Sequence, residues 1–201
     1  MSKIILYDNL LSQNSYKVKL ALSQLQVDHE VRQVDLKGGE QKKEWFLKLN
    51  PNGQVPTLVD GDYAIWESNS ILLYLGRKFA PNNLIPQDLQ TLGKMLEWMM
   101  FEACKLSRYI GAARFLTRFM PKEKVNQDEL SRTRKSAGGN LAVLNGHLAK
   151  NDYLAGSYTL ADIACYGQIC VAQEGALDLS AYPAIVNWMK RVESTPNFIK
   201  I

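Results

Sequence analysis

The sequence predicts an α/β domain built on a mixed sheet, followed by an all-helical bundle. Three observations carry this. Over residues 1–80, short strand-like pieces alternate with helix-period pieces in the order β-α-β-α-β-β-α. From about residue 90 onward only helical periods remain. Between the two textures lies Ala80-Pro81-Asn82-Asn83, a breaker-rich stretch. The domains therefore read as 1–80 and 88–201, with a linker at about 81–87. Two crossovers ahead of a final hairpin make the sheet mixed, with helices on its faces.

Each element has its own signal. Lys3 to Tyr7 reads as a short strand. Val18, Ala21, Leu22 and Leu25 recur at i, i+3, i+4 and i+7, which predicts an amphipathic helix over 14–26. His29 to Val34 alternates apolar and polar residues, a second strand. Glu40 to Leu49 is a short helical piece carrying Trp45 and Phe46, ended by Asn50-Pro51-Asn52-Gly53. Val55 to Val59 and Tyr63 to Trp66 are strands joined at Asp60-Gly61-Asp62, where Gly61 can take the positive φ of a tight turn. A helix from about Ser68 to Phe79 places Ile71, Leu72, Leu75 and Phe79 on one side.

In the second half, Leu92, Leu96, Met99, Ala103, Leu106, Ile110 and Ala113 follow a 4-3-4-3-4-3 spacing, the seam of one long bundle helix. Leu141, Leu144 and Leu148 mark another helix. Tyr158-Thr159-Leu160-Ala161-Asp162-Ile163 reads as a capping box, Thr159 with Asp162, plus a staple of Tyr158 on Ile163. The helix it starts, through Ile163, Ala164, Ile169 and Ala172, is apolar on most sides and is expected at the centre. Tyr182-Pro183 opens the last helix, with Trp188, Met189 and Val192.

Totals exclude several classes. Of 201 residues, 46% are hydrophobic and 22% charged, enough for a real core. No apolar run approaches the roughly 18 residues of a membrane span, and the N-terminal apolar stretch is too short for a signal peptide, so a cytoplasmic address is expected. Cys104, Cys165 and Cys170 are odd in number and show no disulfide or metal spacing, and His29 and His147 have no ligand-like neighbours, so no metal is expected. A net charge of +4 suits small anions. The basic residues are scattered without interleaved aromatics, so no nucleic-acid partner is expected.

Three pieces then matter together: Ser12-Gln13-Asn14-Ser15-Tyr16-Lys17-Val18, Asn50-Pro51-Asn52-Gly53-Gln54-Val55-Pro56 and Glu67-Ser68-Asn69-Ser70-Ile71. In this order, with Thr159 to Ile163 downstream, they resemble the glutathione S-transferase family, among its theta- and phi-like serine-type members. The resemblance spans nearly the whole chain. It implies a thioredoxin-like N-terminal domain and an all-α helical C-terminal domain. It also implies a cis bond before Pro56, with Val55 offering its N–H and C=O to the cysteinyl backbone of glutathione as a short antiparallel strand. By pattern alone Pro56 could equally be an edge-strand proline. At the strand-to-helix junction, Ser68 suits the γ-glutamyl carboxylate and Glu67 the ammonium; capping of its own helix is the other reading of Ser68. Gln41 and Lys42 resemble the residues that reach the glycyl carboxylate, with Lys43 a neighbour of like chemistry and a solvated charge run the alternative. Gln54 is expected at the ligand backbone.

For chemistry, glutathione must become a thiolate, and a hydrogen-bond donor to that anion lowers its pKa. The resemblance assigns the donor to Ser12, with Asn14 beside it as in disulfide-reducing bacterial members; plain helix capping is the alternative for both. Tyr7 at the end of the first strand ranks third. The first 80 residues hold no cysteine, so a mixed disulfide through the protein's own thiol is not expected there. The leading expectation is glutathione transfer to a hydrophobic electrophile, held by Leu10, Leu11, Tyr109, Ala113 and Phe115, in a homodimeric enzyme. Reduction of disulfides or peroxides through bound glutathione, and a non-catalytic binding module, are the alternatives.

Overall fold

A computed structural model describes residues 3–201. The chain divides into two compact units: one runs to Asn82 and includes Pro196–Ile199, the other is Asn83–Thr195.

The first unit holds β1 (Ile4–Asp8), α1 (Gln13–Gln24), β2 (His29–Gln33), α2 (Glu44–Leu49), β3 (Thr57–Asp60), β4 (Tyr63–Trp66) and α3 (Ser68–Lys78). The strand order is β2-β1-β3-β4. β1 runs parallel to β2, and β3 is antiparallel to both β1 and β4, so the mixed sheet and its closing hairpin are as the pattern predicts. Gly61 turns the hairpin at φ 61°. Two apolar clusters hold the unit. Ile4, Leu6, Val18, Leu22, Leu58, Ile71 and Leu75 form one, and Tyr7, Val34 and Phe46 the other. β1 feeds both, because alternate side chains of a strand point to opposite faces.

Differences from the pattern are local. α1 stops at Gln24 because Gln26 takes a left-handed φ of 54° and Val27 N–H reaches back to Leu22 C=O, a Schellman ending without glycine. The helix expected over Glu40–Leu49 is broken: a 3-10 turn at Glu40–Lys42 precedes α2, and Lys43 between them is extended (φ −73°, ψ 149°). The strand expected from Val55 begins at Thr57, since Pro56 has no N–H to give to a ladder.

The second unit is helical: α4 (Leu89–Phe101), α5 (Ser107–Arg114), α6 (Gln127–Leu148), α7 (Leu160–Ile169) and α8 (Pro183–Glu193). α4 and α5 are joined by a π-helical turn at Glu102–Leu106, and a second such turn, Phe115–Phe119, follows α5. The long helix is therefore real, and Met99, Leu106, Ile110 and Ala113 of its predicted seam are fully buried, but the other three positions differ. Ala103 is exposed and Glu102 is fully buried in its place; Met95 and Trp98 are buried where Leu92 and Leu96 are only half-buried. The i→i+5 turn adds a residue to one turn and rotates the phase of the stripe, which a uniform period cannot anticipate. α7 is central: all ten residues are buried. Ala172 lies beyond it, in a 3-10 turn. The capping box forms as predicted. Tyr158 sets its ring on Tyr153 (5.4 Å between centroids). No helix among the described residues is long and apolar enough to cross a membrane.

Candidate active site

The loop after β1 is built by Asn9. Its amide donates to Val34 C=O (3.0 Å), its Oδ1 accepts from Leu11 N–H (3.1 Å), and its own C=O accepts from Ser12 N–H (2.8 Å). This delivers Ser12 in an extended conformation as the N-cap of α1, where its Oγ accepts from Ser15 N–H at 3.1 Å. The capping reading of Ser12 is thus correct as geometry, but capping uses a lone pair and leaves the O–H free to donate. Tyr7 has a packing role. It is buried, its ring meets Trp45 and Phe46 at 5.7 and 5.9 Å, and its hydroxyl accepts from Arg32 at 3.2 Å.

The loop before β3 is organised by Asn50, which is 2% exposed. Its amide donates to Gln54 C=O (2.8 Å) and to Thr57 Oγ1 (3.0 Å), while its Oδ1 accepts from Asn52 N–H (2.9 Å). Lys42 Nζ donates to Asn52 C=O at 3.2 Å. Gly53 sits at φ 61°, and a Cβ there would lie 2.8 Å from the Gln41 carbonyl oxygen, so only glycine fits. The Gln54 side chain accepts from Asn52 at 3.0 Å. The Val55–Pro56 bond is cis. Among the described residues no hydrogen bond engages Val55.

The third part is the junction of β4 and α3. Glu67 has φ 66° and ψ 112°, a sparsely populated region for a non-glycine residue, and its side chain makes no cap bond. Its C=O accepts from Ile71 N–H, which closes the first turn. Ser68 occupies the first helical position rather than the cap, and is 8% exposed. The reading of Ser68 as the cap of its own helix is therefore set aside.

These parts meet in one cleft. Of the expected residues, Asn14, Gln54, Val55, Pro56, Glu67 and Ser68 line it. Ser12 stands two residues from Asn14, outside the lining. Gln41 and Lys42 adjoin the cleft through Gly53 and Asn52 without lining it. The pattern missed Asn50, Asn52 and Trp66, which also line it. Asn-Pro-Asn-Gly registers as a chain breaker, yet an Asn two residues before an N–H is also an Asx-turn signal, and that signal was available. The cleft is walled by amides and by residues of the N-terminal turns of α1 and α3, helix ends whose dipoles favour anions, with one carboxylate, Glu67, at its side. Such a wall suits a zwitterionic, peptide-like ligand.

The other expectations fall elsewhere. Leu10 and Leu11 are exposed in the first unit. In the second, Phe115 is exposed and Tyr109 half-buried, but Ala113 is fully buried against Gly175 and has no surface to line a pocket. His29 bonds Val27 C=O and His147 bonds Leu154 C=O. Among the described residues no group of His, Cys, Asp and Glu could hold a metal ion.

Comparison with known proteins accords with this arrangement. The family model of the glutathione S-transferase N-terminal domain matches residues 2–77, and that of the C-terminal domain matches 111–196. Glutathione S-transferase 2 of Schizosaccharomyces pombe is 36% identical over 170 residues, 82% of this chain and 73% of that protein. The disulfide-bond oxidoreductase YfcG of Escherichia coli is 28% identical over 191 residues, 91% of this chain and 87% of that protein. Among solved structures, a glutathione S-transferase from Pseudomonas fluorescens superposes with a TM-score of 0.93 at 36% identity, covering 99% of this chain and 98% of that one. A glutathione transferase from Burkholderia graminis, solved with two glutathione molecules per subunit, gives 0.87 at 25% identity, covering 98% and 85%. With both domain models matched in order and the cleft formed by the motif residues of the first, the chain belongs to the glutathione S-transferase family.

Proposed function

We propose that the protein is a glutathione transferase that joins the glutathione sulfur to an electrophilic carbon of a hydrophobic small molecule. The observation that carries this reading is the convergence of Asn14, Gln54, Val55, Glu67 and Ser68 on one cleft. Val55 supplies an unengaged backbone edge to the cysteinyl residue, Ser68 and the α3 N-terminus take the γ-glutamyl carboxylate, and Glu67 takes the ammonium. Gln54 meets the ligand backbone beside Pro56, and Gln41 and Lys42 stand toward the glycyl end. The thiol proton leaves to solvent, and Ser12 O–H or the Asn14 amide donates to the resulting thiolate. The sulfur then attacks carbon; a C–S bond forms as the leaving group departs with its electron pair. Leu11 in the first unit is one candidate for contact with the electrophile, and Tyr109 and Phe115 in the second unit are others. The enzyme acts as a homodimer in this reading.

A second reading is supported by Asn14, rather than Ser12, lining the cleft, and by the similarity to a disulfide-bond oxidoreductase. Here the thiolate of one glutathione attacks a substrate disulfide. A second glutathione thiolate resolves the mixed disulfide, which leaves a reduced substrate and glutathione disulfide.

One titration tests both. The ultraviolet absorbance of bound glutathione thiolate is followed against pH in wild type, Ser12→Ala and Asn14→Ala, beside turnover of an aromatic halide and of a small disulfide. Thiolate well below the ordinary thiol range, lost in Ser12→Ala and accompanied by halide turnover, is the expected result. Loss confined to Asn14→Ala with disulfide turnover selects the second reading. Binding without early thiolate overturns both.

A further inference from the structure

Lys17 is 1% exposed, a burial that lysine rarely tolerates because its ammonium normally snorkels to water. The residues around it explain why it cannot. Ser15, Tyr16 and Val18 are buried as well, so the N-terminal half of α1 is covered on most of its sides rather than on one stripe. The Lys17 Nζ reaches across to α3, where Asn69 Oδ1 accepts from it at 3.4 Å. Both ends of this link are next to the cleft. Lys17 is three residues from Asn14, and positions i and i+3 share a helix face. Asn69 directly follows Ser68 and is itself 8% exposed. Neither residue lines the cleft. The side chain therefore joins α1, one turn past Asn14, to the first turn of α3, without itself lining the cleft.

Resting on the glutathione-binding reading above, we propose that Lys17 is a positioning residue for the anionic γ-glutamyl end of the ligand. Through Asn69 it fixes the first turn of α3, and so the direction of the Ser68 hydroxyl and of the N–H groups beside it. The consequence is selective: what Lys17 supports is recognition of the γ-glutamyl carboxylate, not of the cysteinyl backbone edge at Val55 or of the glycyl end.

That selectivity separates positioning from general structural support. Calorimetric affinities are measured for glutathione and for its analogue in which the γ-glutamyl α-carboxylate is a carboxamide. The proteins are wild type, Lys17→Met, Lys17→Arg and Asn69→Ala. The expected result is that Lys17→Met weakens glutathione binding by about tenfold while the carboxamide analogue loses less than twofold. Lys17→Arg, which keeps a donor to Asn69, recovers most of the affinity. Asn69→Ala shows the same carboxylate-selective loss in smaller degree, and it decides the matter if Lys17→Met does not fold. Equal losses for the two ligands, or no loss for either, overturn the role of Lys17 while leaving the glutathione site in place. Wild-type protein that binds neither ligand overturns the glutathione reading itself.

Discussion

At Glu67 the backbone leaves the regions that non-glycine residues ordinarily occupy, at the point where a carboxylate must face the cleft. Such a conformation costs on the order of 1–3 kcal/mol and persists only where the surroundings enforce it. Replacing Glu67 by glycine relieves that strain but adds backbone freedom to the unfolded chain, which offsets about 0.4–1 kcal/mol of the gain. Glu67→Gly is therefore expected to hold or slightly raise the denaturant midpoint while weakening glutathione binding. A clear fall in midpoint would show that the carboxylate serves folding instead. The conformation itself was not legible in the sequence. Glu-Ser ahead of an apolar stripe signals a helix start, but nothing in residue type marks a glutamate for positive φ. Lys17 was equally hidden: a lysine beside the stripe of α1 ordinarily lies in water, and its burial follows only from the packing of α1 against α3.

Among the elements, those with a single uniform period were legible and those with an interrupted one were not. β1 to β4, α1 and α3 follow from short apolar runs, alternation and i, i+3, i+4 spacing because no turn inside them interrupts the period. The α4–α5 stripe failed at Ala103 because a π turn resets the phase, and no residue type encodes it. The start of α7 was legible because capping is a local device. Asp162 accepts from Thr159 N–H (2.9 Å), Leu154 N–H (3.1 Å) and Trp188 Nε1 (2.9 Å). Burial nevertheless pushes its carboxyl up to about 6, against the pull of those donors. A folded-state value above the unfolded one means that the folded protein binds the extra proton. The stability this carboxyl contributes is thus complete below about pH 4 and is lost as pH rises through about 6. Subtracting the stability-against-pH curve of Asp162→Asn from that of wild type is expected to leave a decline over that interval, and a flat difference would contradict it. Thr159→Ala, which removes the cap and a hydroxyl donor to Asp162 (3.3 Å), is expected to lower stability by roughly 1 kcal/mol at neutral pH.

Across the whole molecule, chain order and unit membership do not coincide. Pro196–Ile199 follow the last helix of the second unit, yet belong to the first. The attachment is polar and specific: the Tyr16 hydroxyl donates to Ile199 C=O at 2.7 Å and the Ser23 hydroxyl to Asn197 C=O at 2.8 Å, both from α1. Asn197 takes a left-handed φ of 56°, which bends this segment where the second bond forms. Tyr16 is 1% exposed, so its bond to Ile199 is made at a largely buried side chain. The strand–helix patterning that defined the first 80 residues contains no sign of this return, because a lone segment with no period of its own has nothing to read. Its contribution follows from the bonds. Tyr16→Phe removes one buried hydrogen bond cleanly and is expected to cost about 1 kcal/mol. Removing residues 196–201 takes away the acceptors of the Tyr16 and Ser23 hydroxyls and uncovers part of α1, and is expected to cost about 2–3 kcal/mol. Amide hydrogen exchange distinguishes the site of the damage: accelerated exchange should be concentrated in α1, which carries Ser12, Asn14 and Lys17, while α6 and α7 keep their protection. If α1 exchanges at the wild-type rate in the shortened protein, the segment is attached without supporting the helix, and the order of the cleft does not depend on it.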